Sequence, residues 1–196
     1  NKASDVSEII ESYAAPYDPI YGSVSHGNIK TFTQHTSDPS KKSYITSYLT
    51  PLGELQSIDT FALSSGTSRT SEYFIKEPLD IKKLLSIRYA PLEYNPHDYE
   101  KLSALIGNRG IVLFELEHPA HTFINLVGPG NLDYIYSMSK DLFEELLSVL
   151  SYRAIEYLKS VLYSSDIAAF HWHSPELYAP FFLFNMDFRD FIHYYD

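Results

Sequence analysis

The stretch Asp166-Ile-Ala-Ala-Phe-His171-Trp-His173-Ser-Pro-Glu176 decides how the chain is read. Ile167 to Phe170 has the length and apolar character of a buried strand, and it runs directly into ionisable side chains. Before it lies the longest helical pattern in the sequence, from about Lys140 to Tyr163. Leu142, Leu146, Leu150, Ala154, Tyr157 and Val161 recur there along one stripe. Ser139 is placed to cap this helix. Asp141, Glu144 and Glu145 sit near its positive end, with Arg153 and Lys159 toward the other, as the helix dipole favours. Upstream again, Ile111 to Leu116 is a short apolar run bounded by Gly110 and Pro119, the pattern of a strand buried on both faces. Strand, helix and strand in this order predict a right-handed parallel βαβ unit and an α/β fold.

Outward from that unit the pattern is mixed. Val6, Ile9, Ile10 and Tyr13 fall at helical spacing and predict a helix over 4–13, closed by Pro16. Residues 16–43 read as loop with room for one short strand. Ser43 to Leu49 and Glu54 to Leu63 read as extended segments joined by Thr50-Pro51-Leu52-Gly53, a β-hairpin. A polar loop over 64–71 and a third short strand over 72–76 complete a small β elaboration across 44–76. Pro78 opens a helix, with Asp80 in its first turn. A further helix begins at Asn95-Pro96 and ends at Gly107, and a short one runs from Pro119 to Val127 before Gly128-Pro129-Gly130. A last helix is expected over 186–195, capped by Asn185 and packing through Phe188, Phe191 and Ile192.

Composition narrows the function classes. With 196 residues and 44% hydrophobic content, one domain over 1–196 is expected. A formal charge of −10 argues against nucleic acid and against anionic membrane surfaces. No apolar run approaches the roughly 18 residues of a membrane span, and the polar start is unlike a signal peptide, so a cytoplasmic location is expected. The chain holds no cysteine, so neither a disulfide nor a thiolate metal site forms within it. Seventeen tyrosines and twelve phenylalanines supply bulk with polar handles for a core or a ligand cavity.

Two constellations carry chemistry. His171 and His173 are two apart in a strand and share a face, and Glu176 follows in the loop. Two imidazoles and a carboxylate suit a zinc ion with one open position, a proton shuttle, or a hydrogen-bonding pocket wall. Glu115 and Glu117 share a face of the other strand, and the C-terminal ends of parallel strands open on the usual ligand crevice. Glu117 and His118 therefore belong to the same mouth, although His118 and His121 equally suit capping of the helix that starts at Pro119. No phosphate-binding glycine loop and no G-x-S-x-G elbow is present.

Several segments resemble the uroporphyrinogen decarboxylase superfamily, and most of all its cobalamin-dependent methyltransferase branch. They are Thr50-Pro51-Leu52-Gly53-Glu54-Leu55, Glu72-Tyr73-Phe74-Ile75-Lys76 with Pro78-Leu79-Asp80, the pair of elements from Gly110 to Gly128, and Ser174-Pro175-Glu176 with Pro180-Phe181-Phe182-Leu183 and Asp187-Phe188-Arg189-Asp190-Phe191. The likeness is distributed over 44–196. It implies a TIM-type (β/α)8 barrel of which this chain is a central portion. It also implies a site at the barrel mouth in which His171, His173 and Glu176 are catalytic and Glu117, His118 and Trp172 meet the substrate.

The activity so implied is transfer of a methyl group between a corrinoid, carried by a partner protein, and a thiol or folate-type acceptor. In such methyltransferases zinc is held by a His-x-Cys segment and a later cysteine. Both are lacking here, so no metal ligand is assigned within this chain. The alternatives are cofactor-free decarboxylation of a tetrapyrrole, and a non-catalytic partial barrel acting as an interaction module or homo-oligomer. Decarboxylases carry an aspartate where this chain has His171-Trp172-His173, and they have an arginine-rich N-terminal loop that it lacks.

Overall fold

A computed structural model describes residues 9–14, 17–22, 29–34 and 38–173. The helix expected over 186–195 and the residues from Ser174 onward lie outside these. The described chain builds two separate sheets. Strands β1 (Ile9–Ala14), β6 (Gly110–Glu117) and β7 (Ala169–His173) form a parallel sheet in the order β1-β6-β7. Strands β2 (Ile29–Gln34), β3 (Lys41–Thr50), β4 (Gly53–Ala62) and β5 (Thr67–Glu72) form an antiparallel meander in the order β2-β3-β4-β5.

This overturns the barrel. A (β/α)8 barrel requires a closed ring of parallel strands. Here four of the seven described strands are antiparallel, and the parallel sheet is open, with β1 and β7 each paired only to β6 among the described residues. The strand–helix–strand signal was real, but one such unit specifies a parallel pair and not ring closure. The small elaboration expected over 44–76 is a sheet of its own, beginning at Ile29.

Five α-helices connect the strands: α1 (Pro78–Leu85), α2 (His97–Ile106), α3 (Pro119–Val127), α4 (Leu132–Met138) and α5 (Lys140–Ser164). The βαβ unit stands as expected: β6 and β7 are parallel neighbours, with α3, α4 and α5 between them. The helix expected over 4–13 is instead, in its described part, strand β1. Ile9, Ile10 and Tyr13 fit both a helical stripe and a strand. Parallel pairing with β6 from Ile9↔Gly110 to Ala14↔Glu115 decides between them. Gly110 is required at that junction, because a Cβ there would lie 1.8 Å from the Ile9 carbonyl oxygen. Strand β5 occupies 67–72, where a loop was expected. Its Thr-Ser-Arg-Thr-Ser-Glu sequence carries no apolar alternation, since an exposed edge strand has no core face to satisfy.

Two apolar clusters result. The first joins the meander to α1, α3, α4 and the N-terminal half of α5 through Leu55, Ile81, Phe123, Ile135, Phe143 and Leu146. The second lies on one face of the parallel sheet, where Val112, Phe114 and Leu116 of β6 meet Tyr94, Tyr99, Tyr157 and Val161. Helix α5 contributes to both. Strand β6 is not buried on both faces: Ile111, Leu113 and Glu115 on its other side are only partly covered.

The Lys-x-Pro-x-Asp segment has a local structural task. Asp80, 5% exposed, accepts hydrogen bonds from the backbone N–H of Lys76 (3.0 Å) and Glu77 (3.2 Å) and pairs with Lys83 Nζ at 2.7 Å. Glu77 and Asp80 form a reciprocal capping box at the start of α1, with Pro78 in its first turn. The Lys83 ammonium is held above its ordinary pKa, first by this hydrogen bond. Asp80→Ala removes the acceptor for two backbone donors and the partner of a half-buried cation. It is expected to destabilise the protein by about 2–3 kcal/mol, read as a lower urea midpoint at unchanged slope. A loss below about 0.5 kcal/mol would show that water replaces the carboxylate without cost.

Candidate functional site

The C-terminal edge of the parallel sheet gathers the ionisable groups. Parallel pairing sets Glu115 opposite His171 and Glu117 opposite His173. The His171 Nδ1 lies 3.3 Å from Glu115 Oε1, with the carboxylate side chain 17% exposed and the imidazole 50% exposed. The cause is geometric. Neighbouring parallel strands sit about 4.8 Å apart, so directly opposed side chains on one face come within hydrogen-bond reach. Leu113 and Ala169 occupy the preceding opposed positions of the same face, leaving the polar pair at the edge of an apolar strip.

Tyr99 of α2 fixes the approach of β7. Its hydroxyl donates to the Val112 carbonyl and accepts from the Ala168 N–H, each at 3.4 Å. Tyr99 also meets Phe114 at 6.0 Å between ring centroids, and Phe114 meets Phe170 of β7 at 5.7 Å. The aromatic face thus anchors the two strands whose other face carries Glu115 and His171.

A second carboxylate–imidazole pair stands beside the first. Glu117 Oε1 lies 3.2 Å from His121 Nδ1 and accepts from Asn125 Nδ2 at 3.2 Å. His121 and Asn125 are four apart on α3 and therefore share a helix face. The short β6–α3 turn at His118-Pro119 folds that face back over the strand end. His118 caps: its Nδ1 accepts from the Ala120 N–H at 3.1 Å at the start of α3. At the other end of α3, Gly128 has φ +82°, and a Cβ there would sit 2.4 Å from the Tyr73 ring.

Of the residues expected at the mouth, His171 and Glu117 lie on the same face of the sheet edge but in separate pairs, His171 with Glu115 and Glu117 with His121. His118 lies at the same edge, with its Nδ1 accepting from the Ala120 N–H. For Trp172 and His173 the β7 backbone is described, and their side chains lie outside the description, as does Glu176 altogether. Asn125 was not anticipated. The signal for it was its helical spacing from His121, itself four residues beyond Glu117.

Among the described residues no three His, Asp or Glu side chains form a group able to hold a metal ion. With no cysteine in the chain, these residues do not fit the zinc of a thiol-activating methyltransferase. They form instead two separate carboxylate–imidazole pairs, of which Glu115–His171 has hydrogen-bond geometry. No helix among the described residues is long and apolar enough to cross a membrane. Comparison with known proteins found no matching family model, no matching curated protein and no matching solved structure.

Proposed function

We propose that the C-terminal edge of the parallel sheet is the active site of a cytoplasmic methyltransferase that moves a methyl group from a corrinoid to a thiol-type acceptor. The observation that carries the reading is the Glu115–His171 pair at opposed positions of β6 and β7. In this role His171 takes the acceptor proton and Glu115 orients the ring. The sulfur then forms its bond to the methyl carbon, the cobalt–carbon bond breaks with its electron pair left on cobalt, and the proton rests on the imidazole. The choice of reaction draws on the resemblance to the cobalamin-dependent methyltransferase branch, and the methyl-corrinoid is a substrate delivered by a partner protein.

Charge favours this reaction over tetrapyrrole decarboxylation. A porphyrinogen presents several carboxylates and needs cations to hold them. The described edge offers Glu115 and Glu117, in a chain of net charge −10.

The direct test is to mix the protein with methylcobalamin and 2-mercaptoethanol and follow loss of the methylcobalamin absorption in an anaerobic cuvette. Demethylation well above the protein-free rate is expected, reduced about 100-fold or more in His171→Ala and less in Glu115→Gln, in line with the usual contribution of a positioned proton acceptor. His171 is half exposed, so its replacement leaves the fold intact. A wild-type rate equal to the protein-free rate rules out methyl transfer from this donor, and equal rates in wild type and His171→Ala rule out the proton role.

A further inference from the structure

Away from the parallel sheet, a cleft of about 800 Å³ lies along the meander and against the turn at Pro129-Gly130. Its charge runs against that of the chain. Both Lys41 and Arg69 line it, and none of its lining residues is a carboxylate, although the protein carries 25 acidic against 15 basic side chains.

The strand register explains why the two cations share a wall. Lys41 of β3 is opposite Ala62 of β4, Ala62 is opposite Thr67 of β5, and Arg69 is two residues beyond Thr67. Side chains two apart on a strand point the same way, so Lys41 and Arg69 project from one sheet face. They are separated by two strand spacings across and two residues along, roughly 12 Å between backbones. Between them stand Ala62 and Thr60, both small, so the space over β4 is left open. Long side chains on either flank can close on a group bound there.

The two cations are differently engaged. Lys41 reaches Asp38 at 3.0 Å in an exposed pair with side chains 49% and 43% exposed, a contact that contributes little and yields easily. The Arg69 guanidinium has no hydrogen-bond or ion-pair partner among the described residues, and Arg69 is exposed where it lines the cleft. A planar fork of this kind matches the oxygens of a phosphate at two points at once. The Tyr73 ring on the side of the cleft offers a flat apolar wall next to that charge.

We infer that this cleft is a binding site for a small organic phosphate, with Arg69 gripping the phosphate, Lys41 closing from the opposite flank and Tyr73 walling the organic part. The site is independent of the sheet edge where methyl transfer is proposed, and it stands whether or not that activity is found.

Isothermal titration with inorganic pyrophosphate at low ionic strength tests it. Saturable binding is expected, weakened at least tenfold by Arg69→Gln, severalfold by Lys41→Gln, and progressively by added salt. Lys101→Gln, an equal change of charge on α2, is expected to leave binding as in the wild type. Thermal midpoints of the variants establish that each is folded. No saturable heat with the wild type overturns the inference. So does Arg69→Gln binding as tightly as wild type, or Lys101→Gln losing as much as Arg69→Gln, since either result traces any affinity to overall charge and not to the cleft.

Discussion

Phe114→Ala is expected to cost about 3–5 kcal/mol, the range for deleting an enclosed aromatic ring, out of a total near 5–15 kcal/mol for an ordinary domain. The ring is 0% exposed at the centre of the cluster beneath the parallel sheet. It meets Tyr13 at 5.6 Å, Tyr94 at 5.4 Å, Tyr99 at 6.0 Å and Phe170 at 5.7 Å between centroids. These four partners come from β1, the segment before α2, α2 itself and β7, so one cavity loosens four segments at once. Because β1 and β7 both hang on β6, the damage is not confined to one strand. The measurement is urea unfolding followed by near-ultraviolet circular dichroism, which reports the tyrosines packed round the ring. Phe143→Ala, in the other cluster, serves as the comparison: a similar loss of stability, with the signal change coming from Tyr136, whose ring centroid lies 5.2 Å away. A Phe114→Ala variant within 1 kcal/mol of wild type would mean that the ring is not enclosed.

Alkaline pH is expected to unfold the protein through its buried phenols. Burial pushes Tyr94 up to about 12, and burial followed by the charge of Asp18 pushes Tyr21 up to about 12. Burial likewise raises Tyr17, Tyr48 and Tyr157 above the ordinary phenol value. In the unfolded chain the same groups ionise near 10. Between about pH 10 and 12 the folded state therefore holds more protons than the unfolded state, and stability falls as pH rises. The contribution is fully present below pH 10 and is lost on rising through the folded values. Each fully buried phenol gives about 1.4 kcal/mol per pH unit. Tyr21, Tyr94 and Tyr157, at 0%, 7% and 3% exposure, together give a slope of roughly 4 kcal/mol per unit. Titration of the tyrosinate absorption should show a gradual phase from exposed residues, then a sharp step coincident with loss of helical circular dichroism. A single smooth titration of all seventeen tyrosines near pH 10, with the fold unchanged, would contradict the burial of these phenols.

What could be read in the residues and what could not divide along the range of the interactions. Helices α1, α3 and α5 stood in the sequence because their start signals and stripes are local: Pro78 with Asp80, Pro119 before Gly128, and the Leu142–Val161 stripe, although the Ser139 side chain makes no capping hydrogen bond. Strand β1 was misread because Ile9, Ile10 and Tyr13 satisfy two periods, and only a partner far along the chain selects one. The barrel was an expectation carried by the family resemblance, and the one parallel unit legible in the residues does not specify ring closure. At the site, alternation placed Glu115 and Glu117 on one face and His171 and His173 on one face. The register that sets Glu115 against His171 follows from how β7 docks on β6 and is written in neither strand. His118 had two readings, and its Nδ1 accepts from the Ala120 N–H as the capping reading expects.

The parallel pairing of β1 with β6 joins residues about a hundred positions apart, Ile9 to Gly110. Closing a loose loop of that length costs on the order of 4 kcal/mol of chain entropy beyond the constant term, against well under half of that for the two-residue turn between β3 and β4. Much of the intervening chain is the meander β2–β5, whose strand pairings join segments close in sequence. Once paired, those strands hold more than forty residues of the tether in one sheet, and the loop left to close is shorter by that much. In kinetic terms the antiparallel sheet shortens the chain for the strand that precedes it.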